Sequence, residues 1–220
     1  MEKTLLNLAV FIEQTVLKPD CLEPDIDRVC AEAIDHRFYA VCVPPAYVNR
    51  AARLLQGKNS KVVTVVGFPM GYNLTPVKVE EARKAVDEGA AELDMVMNVS
   101  AFKSKNYKAV QKDIESMSDF AHLHNALLKV IIETGLLTDE EIRKACNIAA
   151  KSGVDFVKTS TGFNGGGASV NAVKVMRDVL PKKIKIKASG GIRDRNFAVE
   201  LIEAGADRIG TSAGINIIAS

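Results

Sequence analysis

Two lysines stand where apolar segments give way to polar, glycine-rich ones, and both could take part in covalent chemistry. Lys158 ends the run VDFVK and precedes TSTG, whereas Lys187 ends IKIK and precedes ASGG. Burial and a nearby second cation both lower the pKa of an amine, and a neutral amine can form a Schiff base with a carbonyl group. The alternative for Lys158 is a side chain that extends from a strand end into solvent.

The environment of these lysines depends on two features that the sequence leaves open. Lys183, Lys185 and Lys187 alternate along one predicted strand and therefore share a face, which could point into the protein or out of it. Asp94 lies near the end of another predicted strand, 91–95, where it could serve as an acid–base group or as a structural counterion for a lysine.

A short pattern places several of these residues in one register. In three segments a glycine precedes a strand-ending residue by five positions; the pairs are Gly89 and Asp94, Gly153 and Lys158, and Gly205 and Gly210. The same count from Arg37 ends at Cys42. Alternate strands of a barrel contribute to one interior layer, so we expect these four strand ends to share a layer at the carboxyl end. Cys42 could equally be a small buried apolar residue.

Eight short apolar segments, alternating with amphipathic helical patterns, are the elements that must position these side chains. The predicted strands are 11–15, 38–43, 61–66, 91–95, 128–132, 154–157, 184–186 and 206–209, and the predicted helices are 25–36, 75–88, 106–124, 138–152, 168–179 and 194–204. Doubly wound sheets usually have fewer strands, so the pattern favours an α/β fold of the (β/α)8 TIM-barrel type. Leu5–Ile12 predicts an extra N-terminal amphipathic helix.

Two helix starts carry recognisable signals. Thr75-Pro76 has the form of a capping residue followed by a proline at the first helical position. Thr138 is followed three residues later by Glu141, the spacing of a capping box.

Composition narrows the class of protein. The chain has 220 residues, 47% of them hydrophobic, and a formal net charge of +2. We expect one domain over residues 1–220, with no basic surface for nucleic acid and no segment that crosses a membrane. The four cysteines form no CxxC pair, and no export signal is visible, so a cytoplasmic location with reduced thiols is expected.

Glycine-rich stretches after the predicted strands could bind an anion. Gly162 follows Lys158, Gly190 and Gly191 follow Lys187, and Gly210 precedes Thr-Ser212. Barrels often bind phosphate with the loops after strands seven and eight. The alternative is that these glycines only permit tight turns.

The chain resembles the deoxyribose-phosphate aldolase family, class I aldolases that adopt a (β/α)8 barrel. The resemblance extends over nearly the whole length, and it rests on the segments IEQT at 12–15, AVCVP at 40–44, VGFPMG at 66–71, ELDMV at 92–96, KVIIET at 129–134, FVKTSTGF at 156–163, KASGGIR at 187–193 and RIGTS at 208–212. Its most specific part is KTSTG followed in order by the lysine and paired glycines of KASGG.

The resemblance implies an activity: reversible cleavage of 2-deoxy-D-ribose 5-phosphate to D-glyceraldehyde 3-phosphate and acetaldehyde, in deoxyribose catabolism. It implies Lys158 as the Schiff-base residue, Lys187 as the lysine that tunes it, Asp94 as the acid–base group, and Cys42 as a neighbour of the substrate. Glu13 stands where many members have aspartate, which implies a role in proton relay. The implied substrate-binding residues are Thr159, Gly162, Gly190, Gly191, Arg193, Gly210 and Ser212.

Neither a metal nor an organic cofactor is implied, and a homo-oligomer, dimeric or tetrameric, is expected. Phe163 stands where some members have lysine, which implies phosphate binding through backbone N–H groups and Arg193. Two other readings stay open: a Schiff-base barrel aldolase for a related phosphorylated sugar, and a catalytically silent barrel that senses a phosphorylated metabolite.

Overall fold

Eight parallel strands close into a barrel in which each strand pairs with its neighbours in chain order, and β1 pairs with β8. The computed structural model describes residues 7–219. The strands are β1 (Ile12–Thr15), β2 (Ala40–Val43), β3 (Lys61–Val66), β4 (Glu92–Val96), β5 (Leu127–Ile131), β6 (Phe156–Lys158), β7 (Lys185–Ser189) and β8 (Arg208–Thr211). This architecture confirms the predicted (β/α)8 barrel.

Helices follow the strands and cover the outside of the barrel. Within residues 7–219 they are α1 (Glu23–Asp35), α2 (Val48–Leu54), α3 (Thr75–Asp87), α4 (Val99–Lys103), α5 (Tyr107–Leu123), α6 (Asp139–Lys151), α7 (Val170–Val179), α8 (Arg195–Glu203) and α9 (Gly214–Ala219). The six predicted helices are present with small boundary shifts. The sequence missed α2, α4 and α9, which have at most seven residues and are too short to show a 3.6-residue period.

The two helix-start signals have different outcomes. Thr138 does form a capping box with Glu141, since each side chain accepts a hydrogen bond from the other residue's backbone N–H. Thr75, in contrast, is not the cap: α3 is preceded by Leu74, which makes no side-chain cap. The Thr75 hydroxyl instead donates to Asp113 Oδ1 at 2.7 Å and so joins α3 to α5.

The predicted N-terminal helix over Leu5–Ile12 is wrong in the part that the structure describes, from residue 7 onwards. Leu8–Phe11 form a single 3-10 turn, and Ile12 already begins β1 in an extended conformation. The Asn7 side chain accepts a hydrogen bond from the Ala9 N–H, so the turn starts there. The part of the prediction before Asn7 lies outside the described residues.

Strand side chains alternate between two different environments. Leu93 and Val157 belong to the large apolar core that the strands share with the surrounding helices. Their neighbours Asp94 and Lys158 are buried on the opposite side, inside the barrel. Much of the barrel interior is therefore occupied by charged groups, whereas the outer face of the strands is apolar.

The glycines that precede Asp94, Lys158 and Gly210 by five positions have a conformational role. Gly89, Gly153 and Gly205 all have positive φ angles, 108°, 78° and 116°, a region where a side chain is costly. Arg37 takes the corresponding position before β2 with φ 56° despite its side chain. The four helix ends therefore reverse the chain in a similar way before the next strand begins.

Among residues 7–219, every helix is too short or too polar to cross a lipid bilayer.

Candidate active site

The barrel interior brings together the three residues expected to carry the chemistry. Lys158 Nζ donates to Asp94 Oδ2 at 2.8 Å, and Lys187 Nζ donates to the same oxygen at 2.6 Å. Asp94 lies on β4, Lys158 ends β6 and Lys187 lies in β7, so distant parts of the chain meet here. All three side chains are buried, Lys158 being 3% exposed.

The electrostatic environment separates the two lysines. Burial lowers the pKa of Lys158, and the positive charge of Lys187 lowers it further, against the opposing effect of Asp94. Burial alone would also lower the pKa of Lys187, but Asp94 and Glu13 outweigh it and raise this pKa above its usual value. Lys158 is therefore the amine that loses its proton more readily.

Asp94 is held ionised by its surroundings. Burial would raise the pKa of this carboxyl, but the charges of Lys129, Lys158 and Lys187 hold it well below its usual range. A carboxylate that contacts three amines can accept protons from each of them, so its position suits it to proton transfer.

Glu13 reaches this group from β1. Its Oε2 forms a short ion pair with Lys187 Nζ and lies 3.8 Å from Lys129 Nζ. Its other carboxylate oxygen, Oε1, is buried without a hydrogen-bond partner among the described residues. The structure thus places Glu13 in a charged cluster inside the barrel, which consists of Glu13, Glu92, Asp94, Lys129, Lys158 and Lys187.

Lys129 and Glu92 also belong to the cluster, although sequence reasoning did not single them out. Lys129 Nζ lies 2.8 Å from Asp94 Oδ1 and 2.6 Å from Glu92 Oε2, and these pairs raise its pKa well above the usual value in spite of burial. The ion pair between Lys129 Nζ and Glu92 Oε2 is close, but Glu92 Oε2 accepts no hydrogen bond from the described residues. A usable signal was present: Lys129 stands in the middle of the otherwise apolar strand LLKVI.

Cys42 lies inside the barrel on β2, beside Val63 and Val65. It is fully buried, and burial raises the pKa of its thiol. A buried, protonated thiol is a poor nucleophile, which favours a packing role next to the charged cluster.

A cavity of about 580 Å³ opens above these residues at the carboxyl end of the strands. It is lined by Lys158 and by six of the seven residues expected to bind substrate: Gly162, Gly190, Gly191, Arg193, Gly210 and Ser212. The β1–α1 segment contributes further lining, including Leu17, Lys18 and Cys21. The lysine with the lowered pKa therefore lies at a cavity large enough for a small phosphorylated sugar.

The backbones of the loops after β6 and β7 approach each other closely. A side-chain carbon added at Gly167 would clash with the carbonyl group of Gly190, whose carbon atom would be 2.7 Å away. The Ala168 N–H donates to the Gly190 carbonyl at 3.0 Å. This close approach requires glycine at both positions.

Thr159 is the expected substrate-binding residue that does not line the cavity. Its side chain is fully buried, and its hydroxyl donates to the Ser189 carbonyl at 3.1 Å while accepting from the Ser189 N–H. The residue therefore joins β6 to β7 behind the cavity wall.

The orientation of the lysine-bearing strand β7 is also settled. Lys187 is buried inside the barrel, whereas Lys185 is exposed, with its Nζ 5.7 Å from the centre of the Phe156 ring. Of the three lysines on this face of the strand, only Lys187, at the carboxyl end, is therefore buried inside the barrel.

Comparison with known proteins gives consistent results. Residues 7–220 match the sequence model of the DeoC/LacD family of aldolases. A deoxyribose-phosphate aldolase of Desulfitobacterium hafniense is 49% identical over 97% of this chain and 98% of its own. One of Thermococcus kodakarensis is 51% identical over 96% of each chain.

Solved structures agree with the sequence matches. An aldolase designated QR15 superposes with a TM-score of 0.93 and 44% identity, over 98% of this chain and 96% of its own. A tetrameric deoxyribose phosphate aldolase from Aeropyrum pernix superposes with a TM-score of 0.91 and 33% identity, over 97% of this chain and 90% of its own.

Proposed function

Because the chain belongs to the DeoC/LacD family of aldolases, we propose that it cleaves 2-deoxy-D-ribose 5-phosphate reversibly to D-glyceraldehyde 3-phosphate and acetaldehyde. It is thus an aldehyde-lyase. The observation that carries the proposal is the position of Lys158, a buried amine of lowered pKa beside Asp94 and at the cavity.

The first step is attack by the neutral Lys158 amine on the C1 aldehyde of the open-chain sugar. The resulting carbinolamine takes up one proton from solvent, loses its hydroxyl group as water and leaves a cationic iminium, in which C1 is bonded to Lys158 Nζ. The cluster holds three carboxyl groups, those of Glu13, Glu92 and Asp94, against the two amines of Lys129 and Lys187. The iminium cation restores the balance, so the buried cluster stabilises this intermediate.

The second step breaks the C2–C3 bond. Asp94 accepts the proton of the C3 hydroxyl, directly or through a water molecule, as C3 becomes the aldehyde of glyceraldehyde 3-phosphate. The bonding electrons pass into the iminium and give an enamine. Lys187, with its raised pKa, supplies the proton to C2, and hydrolysis of the new iminium releases acetaldehyde and regenerates the Lys158 amine.

The phosphate group occupies the end of the cavity formed by the loops after β6, β7 and β8. Backbone N–H groups at Gly162, Gly190 and Gly191 are free of side-chain bulk, and Arg193 supplies a charged partner. Anion binding by backbone groups at this end of a barrel is common.

The reaction is tested by trapping the Schiff base. The protein is incubated with acetaldehyde and sodium borohydride, digested, and analysed by peptide mass spectrometry. We expect an N-ethyl group on Lys158, no adduct in Lys158→Ala, and an unchanged result in the exposed control Lys151→Met. An adduct only at other lysines, or 2-deoxyribose 5-phosphate cleavage by Lys158→Ala, would overturn the mechanism.

We further propose a cytoplasmic role in deoxyribose catabolism for a homo-oligomer. An oligomer is supported by exposed apolar side chains close together in sequence around the start of α3: Met70, Tyr72, Leu74 and Val77. The tetrameric relative is consistent with this state. Light scattering coupled to size-exclusion chromatography should give a mass above the 23.8 kDa of one chain.

A further inference from the structure

Glu133 is a buried carboxylate outside the charged cluster. It follows β5, is fully buried, and has a left-handed backbone with φ 59°. Both burying a carboxylate and holding a residue with a side chain in this region are unfavourable. Two unfavourable features at one residue beside the active site point to a function rather than to packing alone.

Within residues 7–219, the hydrogen bonds of its carboxylate all come from the loop that follows Lys158. Thr161 donates from its backbone N–H, at 3.2 Å to Oε1, and from its hydroxyl, at 2.6 Å to Oε2. Asn164 Nδ2 donates to Oε2 at 3.1 Å. Neutral groups thus satisfy the carboxylate, and removing its acceptor oxygens would leave these buried donors unpaired.

The same contacts join three loops. Asn164 Nδ2 also donates to the Pro69 carbonyl, at 2.8 Å, in the loop after β3. The Phe68 and Phe163 rings pack edge to face at 5.3 Å between centres. Loops after β3, β5 and β6 are therefore held together through Glu133 and Asn164.

The loop so fixed forms part of the cavity wall, although Glu133 does not itself line the cavity. Thr161, Gly162 and Phe163 all line it beside Lys158. Lys158 itself is held separately, by its position at the end of β6 and by Asp94. A change in the loop should therefore affect the bound phosphorylated sugar more than the reactivity of the amine.

We propose that Glu133 is a positioning residue for the sugar phosphate: it holds the Thr161–Asn164 loop in the conformation that binds substrate and leaves formation of the Schiff base to Lys158. The proposal rests on the function proposed above. Positional errors of about 1 Å in a substrate-binding group can reduce catalytic efficiency by about a hundredfold.

The test compares Glu133→Gln and Asn164→Ala with exposed controls, Glu140→Gln and Asn171→Ala. We expect KM for 2-deoxyribose 5-phosphate to rise by about tenfold or more in both test variants, with a smaller change in kcat. The kcat/KM for unphosphorylated 2-deoxyribose and the rate of acetaldehyde trapping on Lys158 should change by less than about twofold. The controls should match the wild type.

Asn164→Ala keeps the assay decisive if Glu133→Gln fails to fold, since Thr161 still satisfies the carboxylate. An unchanged KM, or an equal loss for both sugars, would overturn the proposal. If a folded variant no longer formed the acetaldehyde adduct on Lys158, the proposal would be overturned too, because the substitution would then have changed the reactivity of the amine. Absence of cleavage and trapping in the wild type would instead refute the proposed function.

Discussion

Lys158 and Lys187 donate hydrogen bonds to one oxygen atom, Asp94 Oδ2, at 2.8 and 2.6 Å. One carboxylate oxygen cannot neutralise two buried ammonium groups, so one amine loses its proton more easily than the other. Glu13 gives Lys187 a second carboxylate, and Lys158 thereby becomes the weaker base. The difference in pKa between the two amines thus arises from which side chains each one touches.

Removing the charge of Lys187 should move the pH dependence of activity. In Lys187→Met, Lys158 loses a like-charged neighbour and no longer shares Asp94 Oδ2 with Lys187, so its pKa should rise. The acid limb of the kcat/KM profile should therefore move to higher pH, and kcat should fall by about a hundredfold or more because a proton donor is lost. Lys185→Met, an exposed change on the same strand, is the control. An acid limb that stays in place would contradict this account.

Replacing Asp94 should affect stability as well as activity. Asp94→Asn leaves three buried amines without their common carboxylate, and we expect a loss of about 3–5 kcal/mol in the free energy of unfolding at pH 7. Because the folded pKa of Asp94 is depressed, its stabilisation is complete above the unfolded pKa of about 3.9 and is lost as the pH falls towards the folded value. Urea titrations should thus show the variant approaching the wild type at low pH, whereas the exposed control Asp87→Asn should differ little at any pH.

Glu13 should matter through its pair with Lys187. In Glu13→Gln the pKa of Lys187 should fall because one of the two carboxylates that raise it is gone. We expect kcat to fall by about tenfold and the basic limb of the rate profile to move to lower pH. Glu203→Gln, on an exposed part of α8, should have no effect. A kcat within twofold of the wild type would show that Glu13 is dispensable for proton transfer.

Arg193 should select for the phosphate group. Arg193→Ala removes a side chain that lines the cavity without altering the charged cluster inside the barrel. We expect KM for 2-deoxyribose 5-phosphate to rise by about tenfold or more, since a charge-assisted contact is lost. The kcat/KM for 2-deoxyribose should be nearly unchanged. Equal losses for the two sugars would refute the phosphate assignment.

The ion pair of Lys78 and Asp113 should be structural. Lys78 Nζ is buried, lies 2.6 Å from Asp113 Oδ2 and donates to the Val96 carbonyl at 3.0 Å. Lys78→Met leaves a buried carboxylate without its cation and should cost about 3–5 kcal/mol of stability. Lys84→Met, which breaks an exposed pair on the same helix, should cost at most about 1 kcal/mol. Equal losses of unfolding free energy in Lys78→Met and Lys84→Met would contradict a structural role for the buried pair.

The sequence predicted the barrel because its signals are local and repeated. Helix periodicity, short apolar runs and the glycines before β4, β6 and β8 each act within a few residues. It also predicted that Asp94 and Lys158 share a layer near the carboxyl end of the barrel, since a fixed count from a glycine ends at each of them.

Other parts of the site depend on contacts between segments that are far apart in the sequence. Lys129 and Glu92 reach the cluster only when β4 and β5 pair in register, with Asp94 opposite Lys129. Glu133 lies 28 residues before Thr161, the residue it binds. Thr159 was expected at the substrate because of its position in KTSTG, yet its hydroxyl is occupied by Ser189.

The backbone contact between Gly167 and Gly190 bears on how this enzyme could be redesigned. Random mutagenesis at either position should yield almost no functional clones, because a Cβ at Gly167 would clash with the Gly190 carbonyl and Gly190 has a φ of 94°, which residues with side chains rarely adopt. Productive libraries would instead vary Leu17 and Cys21, which line the cavity from the segment between β1 and α1. Acceptor aldehydes of new shape should therefore be accommodated by changing this side of the cavity, while the glycine contact keeps the phosphate end constant.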